Sequence, residues 1–176
     1  ALTALDGLLD HRDGPARRPV VVAAITGTAG IGKTALAVHW AHRVAGRFPD
    51  GQLYVDLRGF DPSGSPLAPA EAVRGFLDAL QVPPQQVPAS LEAQTGLYRS
   101  LLAGRRMLVL LDNALDAGQV APLLPGAPGC LVLVTSRNQL PGLVAATGAH
   151  PVALDLLSRD EAVELMARRL GHDRVG

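Results

Sequence analysis

Aromatic residues are scarce in this 176-residue sequence, 3% against 48% for all hydrophobic types, so its core must be built from Leu, Val, Ala and Ile. There is a single cysteine, Cys130, which excludes an internal disulfide framework and fits a reducing compartment. No apolar run approaches the length of a membrane span, and no basic leader with an apolar segment opens the chain. Together these absences predict a cytoplasmic setting with no membrane partner. Net charge is missing too: 16 basic and 16 acidic residues cancel, so direct nucleic-acid binding through a broad basic surface is not expected. Lysine, like cysteine and tryptophan, occurs once. Lys33 is the only one among the 16 basic residues, the others being arginine.

That one lysine lies in a distinctive place. Gly27, Thr28, Ala29, Gly30, Ile31, Gly32, Lys33 and Thr34 fit the phosphate-loop pattern G-x-x-x-x-G-K-[ST]. An apolar, β-branched run leads into it from Val20, and a helical pattern beginning at Ala35 leads out. Strand, glycine loop and helix are the context such a loop requires. Glycines let successive backbone N–H groups curl around a phosphate without Cβ clashes, and the helix aims its positive end at the same anion. Residues 27–35 are therefore the expected nucleotide cradle. Lys33 would reach the β- and γ-phosphates, and the Thr34 hydroxyl would ligate Mg²⁺. The plainer reading is an ordinary glycine turn between strand and helix, which would not account for the placement of the sole lysine.

Taken in order, 176 residues suit one domain with a sizeable core. Leu2, Leu5, Leu8 and Leu9 have helical spacing, so residues 2–10 predict a short amphipathic helix, followed by a loop over 11–19. This lead-in (1–19) precedes the core (20–176). Residues 20–26 predict a strand buried on both faces, and the helix after the loop should run to about Arg47. A strand is expected over 52–57, a turn-rich segment over 58–68, and a helix over 69–80 with Val73, Phe76, Leu77 and Leu80 on one face. The proline-rich stretch 81–89 is a rigid connector, and Ser90 is the expected N-cap of a helix through Leu102. Further strands are expected over 107–111, 130–134 and 150–154, with short helices over 117–124 and 140–146. Ser158 and Glu161 form a capping box for a last helix reaching about Leu170. Strands alternating with helices at this spacing predict an α/β three-layer sandwich on a five-stranded parallel sheet.

Two further segments carry chemistry. Met107-Leu108-Val109-Leu110-Leu111 ends in Asp112 and Asn113. A carboxylate at the exit of a buried strand, in a chain with a phosphate loop, is where a Walker B acid belongs, and Asp112 would hold Mg²⁺ opposite Thr34. Without the loop, a helix N-cap would be the commoner reading. Where related ATPases have a second acid that orients water, this chain has Asn113, which can position water but cannot take its proton. Asp116, three residues on, reads as the start of the next helix. Hydrolysis should therefore be slow or depend on residues elsewhere. The second segment, Val132-Leu133-Val134-Thr135-Ser136, ends in Arg137. If its strand lies between those of the phosphate loop and Asp112, Arg137 becomes a γ-phosphate sensor; the alternative is a solvated arginine at a strand end.

Other residues have blander readings. Arg58 reads first as a solvated loop arginine, with phosphate contact the alternative. His39 and His42 share a helix face but lack a third ligand at zinc spacing, and Trp40 is a core or interface residue. Cys130 reads as a small buried hydrophobe, and Arg168 and Arg169 as favourable charges at a helix C-terminus.

Taken together, residues 27–34, Leu110-Leu111-Asp112-Asn113, Val134-Thr135-Ser136-Arg137 and the helix start at Leu156-Leu157-Ser158-Arg159-Asp160-Glu161-Ala162 resemble the NB-ARC domains of STAND ATPases. Leu36-Ala37-Val38-His39-Trp40-Ala41-His42, Tyr54-Val55-Asp56-Leu57-Arg58-Gly59-Phe60 and Leu123-Leu124-Pro125-Gly126 resemble in particular those of the large bacterial SARP-type antibiotic regulators. The resemblance covers nearly the whole chain. It implies a P-loop NTPase sheet of order 2-3-4-1-5 and a single NB-ARC domain from a longer regulator. It also implies an ATP/ADP switch using Mg²⁺, with Lys33, Asp112, Asn113 and Arg137 as the residues acting on phosphate. The implied partners are the nucleotide, an ATP-dependent homo-oligomer, and further domains of the same chain: a winged helix, helical repeats and a DNA-binding activator domain. The family's small-Gly-Arg adenine motif and Gly-x-Pro segment would lie outside 1–176, which implies weaker nucleotide binding by this stretch alone. Two other readings stay open: a catalytically inert nucleotide-binding and oligomerisation module, suggested by Asn113, and a small-molecule P-loop kinase, for which no arginine-rich lid is visible.

Overall fold

The computed structural model describes residues 1–12 and 20–155. The expected capping box at Ser158–Glu161 and the last helix, with Arg168 and Arg169, lie outside them. The elements in order are α1 (Leu2–Arg12), β1 (Val21–Thr26), α2 (Lys33–Val44), β2 (Gln52–Asp56), α3 (Pro69–Ala79), α4 (Leu91–Leu102), β3 (Leu108–Ala114), α5 (Ala117–Val120), β4 (Leu131–Ser136), α6 (Pro141–Thr147) and β5 (His150–Ala153). The five strands form one sheet in the order β2-β3-β4-β1-β5, and every neighbouring pair is parallel.

Side-chain alternation explains why the three central strands read as unbroken apolar runs. Val22, Val109, Leu111, Val132 and Val134 point to one face, where they pack with Val73, Phe76 and Leu77 of α3 and Tyr98 and Leu102 of α4. Val21, Ala23, Ile25, Leu108, Leu110, Leu131 and Leu133 point to the other, against α1 and α2. Burying both faces is what a parallel sheet between helix layers demands. Each fully buried Leu or Val contributes about 1.5–3 kcal/mol.

The few aromatic residues tie neighbouring helices to one another within each layer. Trp40 on α2 is fully buried, and its indole N–H donates to Asp6 of α1 at 2.9 Å. Arg43, one turn on, pairs with the same carboxylate, so α1 is tied to the helix that follows the glycine loop. The Arg43 and Trp40 hydrogen bonds hold the Asp6 carboxyl below its usual range. On the opposite face Phe76 and Tyr98 stack with centroids 5.7 Å apart, joining α3 to α4, and the buried Tyr98 hydroxyl donates to Leu123 O at 2.9 Å.

Most sequence expectations stand within a residue or two. Ser90 caps α4 by accepting from Ala93 N, and Asp116 caps α5 by accepting from Gln119 N. Two details differ. The helix expected over 117–124 ends at Val120 and continues as a tighter turn, Ala121–Leu123, where Pro122 cannot donate to a regular helix. The strand expected to end at Asp112 runs on to Ala114, with Asn113 inside it.

Candidate functional site

The exits of β1, β3 and β4 and the start of α2 enclose a cleft of about 420 Å³, lined by Ala29, Gly30, Gly32, Lys33, Thr34, Ala35, Asp56, Asp112, Asn113, Thr135 and Arg137. Clefts at the carboxyl ends of parallel strands are where α/β sheets take ligands. One wall is the loop. Gly30 and Gly32 sit at φ 75° and 97°, a left-handed conformation that costs a residue with a Cβ about 1–2 kcal/mol. Gly27 is glycine for a second reason: a Cβ there would lie 2.7 Å from Leu154 O, next to the bond by which Leu154 N–H donates to Thr26 O. Lys33 opens α2 and donates to Gly27 O at 2.9 Å and to Thr28 O at 2.7 Å, bracing the loop from inside.

The facing wall is made by the exits of β2, β3 and β4. Asp112 is buried, 5% exposed, and three hydroxyls surround its carboxylate. Thr34 donates at 2.9 and 3.1 Å, Thr135 donates to Oδ1, and the Tyr54 hydroxyl lies 3.4 Å from Oδ2. Asn113 has φ 59°, a region asparagine tolerates better than most side chains, and the β3–β4 register is broken between Leu111 and Ala114. Its N–H, lost to the regular ladder, donates to Thr135 Oγ1 at 2.9 Å. Thr135 thus serves Asp112 and Asn113 together.

A second layer fixes this wall. Beyond β2 the chain continues against β3, with Leu57 N–H on Asp112 O and Gly59 N–H on Asn113 O, both at 2.8 Å. The approach is so close that a Cβ on Gly59 would lie 2.4–2.8 Å from the backbone of Asn113, Ala114 and Leu115. Buried Gln119 accepts from Leu115 N–H and donates to Leu57 O and Leu67 O, stitching three segments together. Ser136 donates to Ala114 O, and Asn138 to Leu115 O, closing the β4 side.

Electrostatically the cleft is divided. Burial and the nearby Arg137 guanidinium lower the Lys33 pKa, with Asp112 opposing them. Arg137 lies over the Phe60 ring, 5.1 Å from its centroid. Two cations that raise each other's energy in a shared cleft are suited to a polyanion placed between them. The Thr34 hydroxyl and Asp112 carboxylate, 2.9 Å apart, are hard oxygen donors of the kind Mg²⁺ takes. Among the described residues no group of three or more His, Cys, Asp or Glu could hold a metal by itself. A cation here would draw its remaining ligands from phosphate and water.

The structure gathers the sequence candidates at residues 29, 30, 32–35, 112, 113 and 137 in this one cleft. Arg58 is elsewhere, 3.6 Å from Glu71. His39 and His42 are exposed on α2, and Cys130 is buried at the start of β4, its thiol 3.5 Å from Arg105 O. Sequence reasoning missed Tyr54, Asp56, Gly59 and Gln119. A signal existed for the first two: alternation puts Gln52, Tyr54 and Asp56 on one face of β2, and Asp56 registers directly with Asp112. Gly59 and Gln119 gave none, since their partners are distant in the chain.

A family model described as NB-ARC domain matches residues 2–176. The chain is 51% identical over 158 residues to the regulatory protein AfsR of Streptomyces griseus, covering 89% of the chain and 16% of that relative. It is 50% identical to the AfsR of Streptomyces coelicolor, covering 90% of the chain and 15% of the relative. The chain thus spans about a sixth of the length of these curated relatives. Among solved structures it is similar to Cdc6p from Pyrobaculum aerophilum, with TM-score 0.69 and 17% identity over 96% of this chain and 48% of that one. It is also similar to the Aeropyrum pernix ORC1 protein, solved in complex with DNA, with TM-score 0.64 and 17% identity over 97% and 48% of the two chains. At such identity these likenesses speak for the fold.

Proposed function

The chain belongs to the NB-ARC family, and on that premise we propose that it is an ATP/ADP-binding switch module controlling oligomerisation and transcriptional activation by a larger cytoplasmic regulator. The observation that carries the reading is the meeting of Lys33, Thr34, Asp112 and Arg137 around one cleft floored by a glycine loop. In this reading the N–H groups of residues 27–35 cradle the phosphates, and Lys33 exchanges its bonds to Gly27 and Thr28 for phosphate oxygens. Thr34 and Asp112 hold Mg²⁺, which neutralises phosphate charge when bound. Arg137 meets the γ-phosphate and loses that contact in ADP, which makes the occupant legible to the rest of the molecule. The regulatory role rests on the AfsR relatives, and the nucleotide choice is supported by a further fold neighbour, the Aeropyrum pernix ORC2 protein, described in ADPNP and ADP complexes.

Asn113 favours a second reading, a module that binds and assembles without turning nucleotide over, because its amide cannot accept a proton. The two share the binding step, which is tested first. Titration with a fluorescent ADP analogue should show binding that Lys33→Ala weakens by about a hundredfold, with a change in stability under ~1 kcal/mol. Arg137→Ala should spare ADP and remove the distinction between ATP and ADP. Equal loss for both nucleotides would exclude Arg137 as the sensor.

A further inference from the structure

Resting on that nucleotide-binding reading, we propose that Asp56, at the exit of β2, is the group that takes the proton from the water attacking the γ-phosphate. The acid that the β3 exit lacks at Asn113 is in this way supplied from the neighbouring strand. Asp56 registers with Asp112 and lines the same cleft. Adjacent strands lie about 4.8 Å apart, and both residues project to the same side, so the two carboxylates form neighbouring parts of one wall.

Elimination within the cleft points the same way. Among the described residues that line it, only Asp56 and Asp112 are carboxylates. Asp112 is taken up by the Thr34 and Thr135 hydroxyls, and it is the acid suited to Mg²⁺. Lys33 and Arg137 are cations, Thr34 and Thr135 are weak bases, and Asn113 is an amide. Asp56 is exposed at the cleft edge, and Oδ1 accepts the Arg58 N–H at 2.8 Å. No other hydrogen bond to its carboxylate occurs among the described residues. Arg58 has φ 51°, so this bond steadies the left-handed turn by which the chain leaves β2.

The step balances. Water oxygen bonds to the γ-phosphorus while one of its protons passes to the Asp56 carboxylate. The bond from the γ-phosphorus to the bridging β-oxygen breaks, ADP leaves with that electron pair, and the proton then passes from Asp56 to solvent. Asn113, beside it, can orient the water by a hydrogen bond without taking part in proton transfer.

Asp56→Asn is the suited variant, because the amide oxygen still caps the Arg58 turn while the base is gone. The experiment measures phosphate release from ATP, affinity for a fluorescent ADP analogue, the Mg²⁺ concentration needed for half-maximal binding, and thermal stability. Turnover should fall by about tenfold or more, with affinity, Mg²⁺ requirement and stability within about twofold or a degree of the parent. Turnover equal to the parent would overturn the assignment, and so would parallel loss of affinity and turnover, which marks a binding role. A parent chain that binds ADP yet releases no phosphate above a Lys33→Ala control also overturns it, leaving the switch reading intact. A parent chain that binds no nucleotide removes the switch reading, and this inference with it.

Discussion

On one side of the cleft the backbone of residues 27–32 curls through glycines at positive φ, braced by two hydrogen bonds from Lys33 to its own carbonyls. On the other side Asp112 and Asn113 are fixed by the backbone of Leu57 and Gly59, by Thr135, and behind them by Gln119, Ser136 and Asn138. The loop wall is local: a few consecutive residues determine its shape and keep its N–H groups available. The acid wall is assembled from β2, β3, β4 and α5, and its contributing residues lie as far apart in sequence as Leu57 and Asn138. An anion cradle built from open backbone can adjust to its ligand, whereas a carboxylate that must present oxygens to a cation gains from being held in advance.

This difference predicts unequal tolerance to the same substitution. Gly59→Ala should cost about 3 kcal/mol or more, because its Cβ would press on backbone at 2.4 Å, and strand backbone cannot swing aside as a side chain can. Gly30→Ala meets nothing within 4 Å and should cost only the left-handed strain, about 1–2 kcal/mol. Urea unfolding of the two variants side by side makes the comparison. If Gly30→Ala proved the more damaging, the loop would be the rigid wall and the contrast would be reversed.

The same locality explains what could be read in the sequence. Residues 27–34 were legible because glycine spacing, the strand before and the helix after all lie within one short window. Asp112 and Arg137 were legible as strand-exit residues once the loop supplied the context. The sheet order followed from the family resemblance, and the alternation of β1, β3 and β4 between two apolar faces agrees with it. Gly59 looked like one more glycine in a turn-rich stretch, since the strand exit it touches is more than fifty residues away. Gln119 looked like a polar residue on a short helix, and only the folded chain shows it buried at 6% exposure with three backbone partners. Asn113 was noticed for its chemistry, but its left-handed backbone and the extension of β3 to Ala114 depend on Thr135 capturing its N–H.

Gln119→Leu is the next test of the acid wall. It strands the Leu115 N–H and the Leu67 carbonyl, while Leu57 O keeps the bond from Leu67 N–H. The expected loss is about 2 kcal/mol, read from the denaturation midpoint, with a higher Mg²⁺ concentration needed for half-maximal nucleotide binding as the β3 exit loosens. A variant as stable as the parent would mean that the wall stands on its β-ladder bonds alone.

The smallest effect belongs to the loop wall and separates its ligand role from its structural one. Lys33 has a pKa below the usual lysine value of 10.5, from burial first and then from Arg137. The unfolded chain therefore holds this proton to higher pH than the folded one, and between the two values the Lys33 contribution makes stability drift upward with pH. Affinity for phosphate must run the other way: the ammonium that meets the anion is present below the lowered pKa and lost as pH rises through it. Measuring ADP-analogue affinity and unfolding free energy from neutral into alkaline solution should show the first falling earlier than an ordinary lysine would allow, and the second gaining slightly relative to Lys33→Met. In that variant the pH dependence of affinity should flatten, because Met carries no proton to lose. Affinity in the parent that stayed constant across the range would show that the cradle holds its ligand through backbone N–H groups alone, with Lys33 bracing the loop and not touching the phosphate.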